Sequence, residues 1–103
     1  MENNAIFISI PMKDKTPKEI ETKFRIVRKE LTESGYDVVD SILTPTQIEM
    51  DKFYALGLYY LGESLKKLAK CRYAYFCKGW ENARGCKIEH MAAKAYGLEL
   101  LYE

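Results

Sequence analysis

Between Gly79 and His90 the chain reads Gly-Trp-Glu-Asn-Ala-Arg-Gly-Cys-Lys-Ile-Glu-His, and most of the chemistry the sequence offers is gathered there. Glu89 follows Gly85 by four positions, the spacing that stacks two residues on one face of a helix. A carboxylate one turn inside a helix start can point into a crevice. The plainer role for Glu89 is a carboxylate favoured by the positive end of the helix dipole. Gly85 permits a close approach, and the free N–H groups of a helix start favour an anion. Arg84 is suited to a ligand phosphate or hydroxyl, and equally to a structural pair with Glu81 or Glu89. Trp80 offers a face for stacking on a base or for packing across a subunit interface. His90, the one histidine, is rotated roughly 100° from Glu89 around the helix, which favours an orienting or surface role over acid–base chemistry.

The elements that must position these residues alternate regularly. Ala5 to Ile10 is a compact strand-type run closed by Pro11. Thr16-Pro17-Lys18-Glu19 is a helix start, with a capping residue, a first-turn proline and a capping-box glutamate. Ile20, Phe24, Val27 and Leu31 then form one apolar face, and Gly35 stops the helix. A short strand covers Tyr36 to Asp40. Ser41 to Lys52, with Pro45, reads as a loop holding at most one helical turn. The helical period returns from Phe53 to Lys70, with Leu58, Leu61, Leu65 and Leu68 on one side. Gly57 and Gly62 each weaken that helix by about 1 kcal/mol relative to Ala, so each calls for a packing or ligand-approach reason. Arg72 to Cys77 is a third strand, Lys78 to Gly85 a turn, Cys86 to Tyr96 a third helix, and Leu98 to Tyr102 a fourth strand.

This βαβαβαβ order, with right-handed crossovers, predicts an α/β fold of the Rossmann or flavodoxin type: a four-stranded parallel sheet in the order 2-1-3-4 with helices on both faces. The first and third strands then flank the switch point, where ligands bind beyond the strand carboxyl ends. Ser9 to Met12, Gly79 to Gly85 and the third helix start are expected around one crevice. A length of 103 residues suits one domain, 1–103. A formal charge of +1 lacks the basic excess of a nucleic-acid binder. No apolar run approaches a membrane span. The opening Met1-Glu2-Asn3-Asn4 has no signal-peptide character. The three cysteines, Cys71, Cys77 and Cys86, lack CxxC spacing and read as free thiols in a reducing cytoplasm, with no metal site and no cofactor.

The run Gly79 to His90, of the form GWExxRGxxxEH, resembles the short phage- and bacteria-borne members of the nucleoside 2-deoxyribosyltransferase-like family. Ile8-Ser9-Ile10-Pro11-Met12 and Tyr60-Leu61-Gly62-Glu63-Ser64-Leu65 resemble the same group, so the likeness runs along nearly the whole chain. It implies that Glu89 is the catalytic nucleophile, attacking the anomeric carbon and displacing the base. It also implies that Ser9, Pro11, Met12, Tyr60, Ser64, Gly79, Trp80, Glu81, Arg84 and Gly85 bind a nucleoside or nucleotide, and that the protein is a homodimer or homotetramer. The family commonly carries an aspartate at the start of the third strand and an acid two residues before the motif glycine. This chain has Cys71-Arg72 and Ala83 there. These departures support an alternative, a non-catalytic protein that holds a nucleotide such as a cyclic or ADP-ribose-type signal.

Overall fold

A computed structural model describes residues 3–41 and 52–103. The expected loop between Ser41 and Lys52 falls almost wholly outside the described residues. The elements are strand β1 (Ala5–Ser9), helix α1 (Pro17–Glu33), β2 (Asp37–Val39), α2 (Leu56–Leu68), β3 (Tyr73–Phe76), a 3₁₀ turn (Trp80–Asn82), α3 (Arg84–Ala95) and β4 (Glu99–Tyr102). All four strands are parallel, in the order β2-β1-β3-β4, as the connectivity predicts. The helix bounds differ from the sequence reading. α2 starts three residues later than Phe53, and α3 starts two residues earlier than Cys86.

The alternation of side chains along a strand divides the core into two halves. Ile6 and Ile8 of β1 pack with Phe24, Val27 and Leu31, so α1 covers one face of the sheet. Phe7 of β1, with Ala74 and Phe76 of β3, packs with Leu68 of α2 and Ala93 of α3 on the other face. Thr16 Oγ1 accepts the Glu19 N–H at 3.1 Å and caps α1, a contact that typically contributes about 1 kcal/mol. Gly35 and Gly97, at φ +95° and +80°, lead the chain out of α1 and α3 through left-handed turns.

The apolar face assigned to α2 needs one correction. Leu68 is buried and Leu65 packs against the core, but Leu58 is largely exposed. No helix among the described residues is long and apolar enough to cross a membrane.

Candidate functional site

The carboxyl end of the β1–β3 pair opens into a cavity of about 760 Å³. Ser9, at the last position of β1, contributes a hydroxyl on the α2/α3 side of the sheet, where Phe7 two residues earlier contributes apolar packing. The segment after β1 adds Met12 and Lys13, α2 adds Gly57, Tyr60 and Ser64, and the β3–α3 connection adds Asn82 and Ala83. From α3 come Arg84, Gly85, Cys86 and Glu89. Ser41, just beyond β2, completes one wall, its hydroxyl donating to the Ile8 carbonyl at 2.8 Å.

Among the described residues Glu89 is the one acidic residue of this lining, and it is buried. Ser9 Oγ donates to Glu89 Oε1 at 2.7 Å, a contact joining residues 80 apart in sequence. Burial raises the Glu89 carboxyl above its ordinary range, while hydrogen bonds from Ser9 and then Ser64 pull it back toward the ionised form. The result is a partly desolvated carboxylate held in one orientation by hydroxyls, the condition in which a weak oxygen nucleophile gains reactivity and direction. Cys86, one turn before Glu89 on the same helix, is pushed up to about 11 by burial, so this thiol is protonated at neutral pH. Cys71 and Cys77 are also free and buried. Among the described residues no cluster of His, Cys, Asp and Glu is arranged to hold a metal ion.

The α3 start is chemically bare. Ala83 occupies the cap position without a side-chain hydrogen bond, and the first turn-closing bond runs from the Lys87 N–H to the Ala83 carbonyl at 2.9 Å. The N–H groups of Arg84, Gly85 and Cys86 precede it and have no partner within the helix. A β-carbon placed on Gly85 would meet no atom within 4 Å. Its missing side chain therefore leaves room in the cavity and relieves no clash in the protein. Gly85→Ala is expected to raise stability by about 0.5–1 kcal/mol in urea titrations, since Ala is the better helix former and φ here is unstrained. Gly57 also has a local context: its own β-carbon would lie 3.6 Å from Arg84 Nη2. Gly62 has no such neighbour, and nothing in the structure explains it.

Seven of the residues singled out by sequence therefore line one cavity: Ser9, Met12, Tyr60, Ser64, Arg84, Gly85 and Glu89. Four do not. Gly79, Trp80 and Glu81 line a separate cleft of about 570 Å³, with Phe76 and Tyr102. Pro11 is buried, and a β-carbon on Gly79 would lie 3.7 Å from its Cγ. The physical reason is the 3₁₀ turn Trp80–Asn82, entered through Gly79 at φ +94°, which directs Trp80 away from Glu89. Trp80 stacks on His90 at 4.1 Å and 18°, and His90 Nε2 lies 2.7 Å from the Tyr102 hydroxyl. Burial and the charge of Lys94 hold that imidazole below its ordinary range.

Arg84 forms no ion pair with Glu81 or Glu89, which settles against its structural role as a carboxylate partner. Arg72 sits at the amino end of β3, pairs with Glu99 at 2.8 Å and lies outside the cavity lining. Its charge therefore neither helps nor hinders a ligand there. Sequence reasoning passed over Lys13 and Ser41, and it included Asn82 and Cys86 only as parts of the segments expected around the crevice. Cys86 carries a findable signal, since it precedes Glu89 by three positions on one helix face.

No curated protein and no solved structure matches the chain. One family model does, over residues 4–102. It spans every strand and helix that builds the cavity, so the chain belongs to the family described as Domain of unknown function (DUF4406).

Proposed function

We propose that this protein binds a nucleoside or nucleotide in the cavity and cleaves or exchanges its N-glycosidic bond, with Glu89 as nucleophile. The observation that carries the reading is the buried Glu89 carboxylate, held by Ser9 at 2.7 Å where the β1–β3 crevice meets α3. In the first step a carboxylate oxygen forms a bond to the anomeric carbon. The carbon–nitrogen bond breaks, and its electron pair leaves with the base, which takes up a proton from water. In the second step a water molecule or another base attacks the same carbon, and the glycosyl ester releases the carboxylate. Tyr60 and Leu61 supply aromatic and aliphatic surface suited to a base, and Ser64 and Asn82 supply polar groups for hydroxyls.

One observation favours a second reading, in which the ligand is held intact. Glycosidic hydrolysis generally employs two carboxyl groups, and Glu89 has no acidic companion among the described residues lining the cavity. Incubation with a panel of nucleosides, nucleoside monophosphates, NAD and cyclic ADP-ribose-type nucleotides, followed by mass spectrometry, separates the two. Release of free base with time is the expected result. An intact compound depleted from solution and recovered from heat-denatured protein would replace cleavage with retention. No change in any compound and no retention would dispose of both.

A further inference from the structure

The charges of the cavity are divided between a buried anion and exposed cations. We infer from this division that the ligand is a nucleoside 5′-monophosphate, its phosphate held by Arg84, Lys13 and the start of α3. The inference rests on the proposed use of the cavity for a nucleoside or nucleotide and adds the class of substrate.

Among the described residues, three formally charged ones line the cavity: Lys13, Arg84 and Glu89. Glu89 is buried and engaged by Ser9, whereas Lys13 and Arg84 are exposed. Among the described residues, Lys23, Lys66 and Arg72 have carboxylate partners, and Lys13 and Arg84 have none. Arg84 is not splayed into solvent. Its Nη2 lies 3.6 Å from where a β-carbon on Gly57 would sit, so the guanidinium reaches from the start of α3 to the start of α2. Both helices begin without a side-chain cap, at Ala55 and Ala83, and each presents the positive end of its dipole to this region. Planar guanidinium donors beside free backbone N–H groups match the oxygens of a phosphate. Glu81, the nearest acid in sequence, faces the other cleft and puts no opposing charge in the cavity.

Spacing ties this cationic mouth to the proposed chemistry. Arg84 precedes Glu89 by five residues on one helix, about 7.5 Å along its axis. That is comparable to the reach of a pentose from its anomeric carbon to a 5′ substituent. Both side chains line the one cavity, so a sugar with its anomeric carbon at Glu89 has room to turn a 5′-phosphate toward Arg84, while a free nucleoside leaves the cationic mouth unused.

Calorimetric titration of the full chain carrying Glu89→Gln, which keeps the ligand intact, tests the assignment. The ligands are the ribo- and deoxyribonucleoside 5′-monophosphates, the matching nucleosides and inorganic phosphate. Monophosphates are expected to bind about 10–100-fold tighter than their nucleosides, with an advantage that shrinks as salt is raised. Adding Arg84→Met and Lys13→Met should remove that advantage, the ratio of monophosphate to nucleoside affinity falling toward one, with circular dichroism verifying the fold. Equal affinity for a nucleoside and its monophosphate, or an advantage that survives both substitutions, overturns the phosphate assignment and leaves the nucleoside reading standing. Absence of binding by every compound overturns both together.

Discussion

Glu89→Gln is expected to lower turnover of the N-glycosidic substrate on the order of 10⁴-fold or more, the scale seen when a covalent nucleophile is removed, while making the protein more stable at neutral pH. Both effects follow from one geometry. The carboxylate is buried, and burial favours its neutral form. A carboxyl whose folded pKa is raised stabilises the fold fully below its unfolded value. That contribution is lost as pH climbs from there through the folded value. Gln is neutral throughout and still accepts from Ser9 Oγ. The two proteins should therefore melt together in acid and diverge as pH rises, the variant gaining roughly 0.5–2 kcal/mol, the range that relieving a strained functional site commonly yields. The wild-type rate should follow the same ionisation, with an acid limb of kcat/KM above the ordinary carboxyl range. Thermal melts from pH 3.5 to 8 with parallel rate profiles check both. Intact turnover in the variant would remove Glu89 as nucleophile. A variant less stable at neutral pH would mean that the Ser9 and Ser64 hydroxyls more than offset the burial, and that the carboxylate is structural.

Phe76→Ala is expected to be the most damaging core truncation, costing about 3–5 kcal/mol out of the roughly 5–15 kcal/mol typical of a domain. Phe76 has no exposed surface and sits on the inner strand β3. Its ring meets Trp80 at 5.6 Å, His90 at 4.9 Å and Tyr102 at 6.0 Å, so truncation leaves a void beneath the whole aromatic group. The midpoint of melting should fall by roughly 15–30 °C, and Phe76→Leu should recover more than half of the loss. Because Trp80 is the one tryptophan, its emission should shift to the red in the Ala variant before global unfolding. An unshifted spectrum would show that Trp80 is held by His90 and Tyr102 without help from the strand beneath.

The sheet order was legible because few parallel arrangements satisfy short right-handed crossovers, and the apolar runs at Ile6, Val38, Ala74 and Leu100 are unambiguous. Glu89, Gly85 and Arg84 were legible for a related reason: spacing on a single helix determines which faces coincide. Trp80 and Glu81 were misplaced because a loop read from sequence has no handedness, and one left-handed glycine with one 3₁₀ turn sends both to the far side. Lys13 and Ser41 were missed because each lies just past a strand, where side-chain direction depends on local turns. Lys13 is in the turn closed by the Lys15 N–H to Met12 carbonyl bond, with Asp14 at φ +62°.

The placement of β1 against β3 also has a consequence for how the chain reaches this structure. Ile6 is in register with Tyr73, so the innermost strand pair closes across most of the polypeptide, and pairings of that kind form late because loop entropy is spent before any contact repays it. During synthesis the first strand has only α1, β2 and α2 to pack against until the last third of the chain follows. The Ser9–Glu89 bond must wait longer still. A nascent or partly unfolded molecule thus has half a core and no binding cavity, and any ligand of that cavity selects the finished fold alone.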